Sequence, residues 1–201
     1  MSAAARPPAA GPPSGRPRDP RIDDQVLDAV VEALREDGWA GLSVEGVARR
    51  AGVSRPAIYR RWRSLGHLTV DAVARRLIPD PIADTGDLRA DLVSGLGEIV
   101  ETLADPPFRE AVRGVLSGFA ADPDLRARWF EAVLLPRRAS TARAIRAGIE
   151  RGQVRADADV EQVLDALAGP LYYRGLFAHG PLDRAFVEAT VDGVLDALRP
   201  R

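Results

Sequence analysis

The 201 residues predict an all-α fold in two parts, a small N-terminal bundle and a larger helical C-terminal region. Three observations predict it. Apolar residues recur at helical spacing along most of the chain after residue 20, and no stretch alternates with the two-residue period of a strand. Ser, Asp, Gly and Pro fall where helices begin and end. The run Ile78-Pro79-Asp80-Pro81 then breaks the helical pattern, because proline and the residue before it resist helix.

The elements follow in order. Residues 1–20 are mostly Ala, Pro, Gly and Arg, with little to bury, and are expected to form a disordered tail. From Arg21 a first helix carries the stripe Ile22, Val26, Ala29, Val30, Ala33 and Leu34 and stops at Asp37-Gly38. Ser43 caps a second helix, with Glu45 near its positive end and Val44, Val47 and Ala48 on its apolar face. Ala51-Gly52 closes it. After one short turn Ser54 caps a third helix, with Pro56 tolerated in its first turn, that runs to about Trp62. A fourth helix spans about Gly66 to Leu77. The boundary falls near 79–86, giving a domain over 21–78 and another over 79–201. Beyond it the pattern predicts helices over about 87–104, 107–120, 124–151, 158–178 and 183–198. Pro136 lies inside the third of these and is expected to kink or split it.

Composition excludes several kinds of chemistry. There is no cysteine, hence no disulfide, thiolate metal site or cysteine nucleophile. The two histidines, His67 and His179, lie far apart, and no His, Asp or Glu cluster has metal-ligand spacing, so no metal and no cofactor are expected. Neither histidine has an evident Ser or Asp partner and no phosphate loop is present, which argues against an enzyme. Mean hydropathy is −0.14. No apolar run approaches the roughly 18 residues of a membrane helix, so a cytoplasmic protein without a membrane partner is the expectation.

All 28 basic residues are arginine, and the net charge of −1 conceals an asymmetry. Residues 1–78 carry 13 Arg against 9 acids and residues 79–201 carry 15 against 20. Between Gly46 and Val70 there are six Arg and no acid. A local basic segment in a near-neutral chain points to a polyanion site.

That segment holds a tight glycine-containing turn between two short helices, the arrangement of a helix-turn-helix. The third helix tests it. At about 100° per residue, with Arg55 at zero, Tyr59 falls near about 40°, Arg63 about 80°, Pro56 about 100° and Arg60 about 140°. Ile58 and Trp62 fall on the other side, at about 300° and 340°, facing Val30, Leu34 and Val47. One face is cationic and carries a phenol whose hydroxyl reaches a phosphate; the other is apolar. An exposed helix face is often merely solvated charge, but here it is single-signed and sits where groove insertion is possible. The partner expected is double-stranded operator DNA. Arg6, Arg16 and Arg18 of the tail are available to a minor groove or simply to solvent.

The run from Leu42 to Trp62, LSVEGVARRAGVSRPAIYRRW, resembles the DNA-binding domain of the tetracycline-repressor (TetR) family over about residues 22–77. Gly169-Pro170-Leu171-Tyr172-Tyr173-Arg174, with Pro181-Leu182-Asp183 and Phe186-Val187, looks like one C-terminal subgroup of that family. The resemblance implies a repressor, a two-fold homodimer through the last two helices, and an unknown small-molecule effector. It implies that Ser43 meets a phosphate and that Arg55, Pro56, Ala57, Tyr59, Arg60 and Arg61 meet bases and backbone, with Ser54 capping their helix and Arg63 beside them. Arginine takes guanine O6 and N7 in a bidentate contact, so Arg55 and Arg60 are the expected base readers. Two departures stand out. Leu65 occupies the place of a phosphate-gripping lysine, for which Arg63 or His67 can substitute, and Ala57 replaces a common threonine.

The last two predicted helices are broadly apolar. One shows Val160, Val163, Leu164, Leu167, Leu171 and Leu176; the other shows Phe186, Val187, Val191, Val194, Leu195 and Leu198. Such faces are core or partner surface. Phe119, Trp129, Phe130, Tyr172, Tyr173 and Phe177 are the candidate ligand pocket, with core as the plainer reading. Arg137 and Arg138 suit an anionic ligand, though a solvated face is the expectation, and His179 is given a local capping role. The expected mechanism is a population shift: ligand favours a conformer whose recognition helices no longer match the groove spacing. The alternatives are a helical DNA-binding dimer without a sensor, and an activator.

Overall fold

The computed structural model describes residues 20–77 and 81–200. The expected tail, with its three arginines, and Ile78-Pro79-Asp80 of the break lie outside the described residues. The order is α1 Pro20–Gly41, α2 Val44–Arg50, α3 Arg55–Tyr59, α4 Leu65–Leu77, α5 Leu88–Ala104, α6 Pro106–Ser117, α7 Pro123–Trp129, a π-helical segment Phe130–Leu134, α8 Leu135–Glu150, α9 Val160–Phe177 and α10 Arg184–Ala197. Among the described residues there is no strand.

The N-terminal part is a small core closed by α1 to α4. Val26, Val30, Ala33 and Leu34 of α1, Val47 of α2, Ile58 of α3 and Leu68 and Val73 of α4 are buried together, with Trp62. The backbone of α1 breaks at Gly38, whose φ of 68° and ψ of −179° are costly for a side chain. One further turn then carries Trp39 toward the C-terminal domain. α3 is shorter than its spacing predicts. It ends at Tyr59, and a tight turn continues it, in which the Trp62 N–H donates to the Ile58 carbonyl at 2.9 Å. The turn keeps the helical phase, so Ile58 and Trp62 stay inward.

In the C-terminal part α5 is central, packed against α4, α6, α8, α9 and α10. Phe108, Leu92, Ile99, Leu103, Ile145, Leu167 and Leu171 fill the space around it. Pro136 does not interrupt the helical run between Pro123 and Glu150, which passes through a π-helical segment just before it. Its missing N–H and its ring, which crowds the carbonyl four residues back, are absorbed by a widened turn. The Leu135 N–H reaches back five residues to the Phe130 carbonyl, and α8 starts with Pro136 in its first turn.

The two parts are packed together. Gly114 of α6 lies against Trp39, where a Cβ would fall inside the indole ring. Leu125 of α7 sits over Gly66 of α4 and Gly118. Arg76 near the end of α4 pairs with Asp105 at 3.1 Å and lies 4.2 Å from the Phe108 ring centre.

Candidate nucleic-acid interface

Two hydroxyls set the turn. The Gly46 N–H donates to Ser43 Oγ at 3.1 Å and the Ala57 N–H to Ser54 Oγ at 3.3 Å, so each serine caps its helix while its residue stays exposed. Between them Gly52 takes φ 64°, a left-handed turn that permits α3 to cross α2. With Ile58 1% and Trp62 6% exposed, α3 is anchored from within. Arg55, Pro56, Tyr59 and Arg60 are exposed, and Ala57 is half-buried at the edge of that face. The side chains of Arg55 and Arg60 make no hydrogen bond or ion pair to another described residue. Arg49 of α2 is exposed too, an additional cation on this side that the third-helix wheel does not reach.

Arg61 and Arg63 are placed differently from Arg55 and Arg60. The Arg61 side chain is only 10% exposed; its Nε donates to Asp23 of α1 and its guanidinium also meets the Ala57 carbonyl. It therefore points back into its own domain. Arg63 pairs with Asp124 of α7 and remains largely exposed. The two line an open cleft of about 640 Å³ with Trp62, His67, Asp71, Asp124 and Arg128. His67, half-buried in the first turn of α4, lines the same cleft with its Nδ1 2.9 Å from Ser64 Oγ.

Asp71 joins the interface to the rest of the molecule, a role that no sequence motif signals. One of its oxygens accepts the Trp62 indole N–H at 2.9 Å; the other accepts Arg128 Nε of α7 at 2.8 Å. The anchor of α3, the connecting helix α4 and α7 thus share one carboxylate.

The six aromatic residues of the candidate pocket are not brought together. Phe119 and Trp129 pack on each other, ring centres 6.4 Å apart, and Trp129 is core. Phe130 is 43% exposed. Tyr173 and Phe177 stand on the outer face of α9, 5.1 Å apart and more than half exposed, with His179 against Tyr173 rather than capping. Period alone fails here because α9 has two apolar sides. Of the six, Tyr172 alone lines a cavity of about 30 Å³, with Leu96, Ile99, Leu134, Arg137, Thr141, Leu164 and Leu167. Arg137 is not on a solvated face; burial drives its pKa below the ordinary guanidinium value. Arg138 pairs with Glu161 and Asp165 of α9.

The apolar faces named for the last two helices are core inside one protomer: Val163, Leu164, Leu167, Leu171, Val187, Val191 and Leu198 are buried. The outward face is a stripe of small residues and aromatics instead. It holds Ala166, Gly169, Tyr173 and Phe177 on α9, and Ala185, Ala189, Gly193 and Ala197 on α10.

Comparison with known proteins agrees with this geometry. Residues 26–68 match the model of bacterial regulatory proteins of the tetR family, and residues 82–194 match that of the tetracyclin repressor-like C-terminal domain. An uncharacterized HTH-type transcriptional regulator of Bacillus subtilis, YdeS, is 28% identical over 88% of this chain and 89% of its own. The DNA-binding transcriptional repressor TetR of Mycobacteroides abscessus is 29% identical over 85% of this chain and 90% of its own. The crystal structure of the TetR family transcription regulator SCO0332 superposes with a TM-score of 0.75 at 36% identity, covering 90% of this chain and all of that one. An inward-anchored, outward-cationic helix on a wholly helical body, matched along both domains, makes this chain a member of the TetR family of helix-turn-helix transcriptional regulators.

Proposed function

We propose that the protein is a homodimeric repressor that grips operator DNA through α3 and lets go when a small molecule enters its C-terminal domain. The observation that carries the DNA reading is that Arg55 and Arg60, exposed and with side chains unpaired among the described residues, flank Tyr59 on a helix pinned by Ile58 and Trp62. Arg55 and Arg60 read bases in the major groove. Ser43, Ser54, Pro56, Ala57 and Tyr59 fit the backbone around them. Arg63 can join them only by leaving Asp124, and Arg61 acts by holding the turn against α1.

The stripe on α9 and α10 supports the dimer. Small residues let two helix pairs approach closely, and Tyr173 and Phe177 gain cover. Two-fold symmetry would set the recognition helices about one turn of DNA apart, roughly 34–36 Å. Release is supported by α4, whose Asp71 accepts the Trp62 indole N–H and whose Leu77 carbonyl accepts a guanidinium N–H of Arg137 in α8. That the Mycobacteroides abscessus relative is named a repressor favours repression over activation.

A second reading, a DNA-binding dimer with no sensor, is favoured by one observation: the cavity beside Arg137 and Tyr172 holds only about 30 Å³. One titration separates the two. Affinity for DNA selected by the protein is measured with and without a cell metabolite extract. Release by the extract supports the repressor with a sensor; unchanged affinity leaves the sensorless dimer.

A further inference from the structure

Arg137 touches both the cavity and the connecting helix. Its side chain is 13% exposed. One Nη donates to the carbonyl of Leu77, the last residue of α4. The other donates to the Gly95 carbonyl of α5 at 2.8 Å, and Glu98 lies 3.5 Å away. The last carbonyls of a helix lack intrahelical donors and carry its negative end, so a guanidinium there is a clamp on α4. The same guanidinium lines the cavity, next to the largely buried Tyr172, whose hydroxyl makes no hydrogen bond to a described residue. Burial raises the Tyr172 pKa, which keeps that hydroxyl a donor. The rest of the wall is apolar, apart from Thr141 and the ion-paired Arg138. Leu134, at the end of the π-helical segment, forms part of it, three residues before Arg137 in the first turn of α8.

We propose that the effector is a small apolar carboxylate, and that its headgroup, taken by Arg137 and Tyr172, draws Arg137 off the end of α4. This rests on the ligand-released repressor reading. A carboxylate offers a guanidinium two charged acceptors, and such bonds are stronger than those to neutral carbonyls. The cavity, partly open to solvent, holds only about 30 Å³, so the acid's apolar tail cannot seat there while the clamp is shut and the wall unmoved. It therefore binds only the conformer with α4 released. That exclusivity supplies the differential affinity that a population shift requires.

The test uses the full chain and matched pairs of probes: the acids from acetate to octanoate, benzoate and phenylacetate, each against its neutral amide. Thermal melting and affinity for selected operator DNA are read together. The acid of the best-fitting size raises the melting midpoint and weakens DNA binding by on the order of tenfold or more, and its amide does neither. In Arg137→Gln the acid response disappears; in Tyr172→Phe it weakens several-fold, which a purely structural Arg137 does not predict. Equal action of acid and amide on the wild-type protein overturns the proposal, whatever the variants do. So does an undiminished acid response in Arg137→Gln. If no acid acts but the metabolite extract still releases DNA, the carboxylate assignment falls and the sensor stands. If the extract also fails, both fall.

Discussion

On α3 the guanidinium groups of Arg55 and Arg60 stand in solvent beside Tyr59, without a partner among the described residues. At the start of α8 the guanidinium of Arg137 is shut away on two backbone carbonyls and Glu98. The first region is a surface complete in itself and waiting for a polyanion. The second is a satisfied interior contact that changes only if something stronger arrives. On the proposed reading, binding DNA requires no rearrangement within α3, whereas release by a ligand would break a clamp.

The largest effect is expected where the outward surface depends on its duplicate. A Cβ at Gly193 of α10 would meet nothing within 4 Å in one protomer, so Gly193→Glu should fold normally yet separate the dimer. Loss of the second half-site then costs on the order of 10²-fold or more in operator affinity. Sedimentation and DNA titration check it; a dimeric variant would move the interface elsewhere. Next, Arg60→Ala should cost about 1–3 kcal/mol in operator binding and relax preference at one base position, with melting unchanged. Equal losses on specific and random duplexes would remove its reading role.

Its neighbour sharpens the contrast. Arg61→Gln should lower stability by roughly 1–3 kcal/mol, because it removes the largely buried guanidinium that bonds Asp23 and the Ala57 carbonyl, while base preference is kept. Chemical denaturation beside a selection of binding sites measures both. A change of preferred sequence without loss of stability would place Arg61 among the readers. The smallest effect is Tyr59→Phe. Removing one phosphate-directed hydroxyl should weaken binding by about 0.5–1.5 kcal/mol across sequences alike.

These pairs also show what could be read before the structure. The α3 face was legible because its two sides differ in kind: Ile58 and Trp62 at one phase, Arg55, Tyr59 and Arg60 at the other. The caps Ser43 and Ser54 were legible because each acts within three residues of itself. Arg61 and Arg63 were not. Their fates depend on Asp23 and Asp124, 38 and 61 positions away, and no local pattern marks a long-range ion pair. Trp129 and Tyr173 looked alike as aromatics on apolar helices, yet one is core and the other faces outward. α9 buries Leu167 and Leu171 and leaves its second apolar side bare. Pro136 was legible as a disturbance of the long helix; the π-turn that accommodates it was not, since the same proline can be accommodated in several ways.

Selection of binding sites from a pool of random duplexes tests the central claim most directly, because it presupposes no operator. The wild-type chain is expected to enrich a two-fold symmetric sequence with guanines within reach of Arg55 and Arg60. Its half-sites should lie one helical turn or a multiple apart, with affinity falling steeply as salt rises. A pool that stays random through successive rounds, or one whose enriched motif is unchanged in Arg55→Ala and Arg60→Ala, would contradict the account.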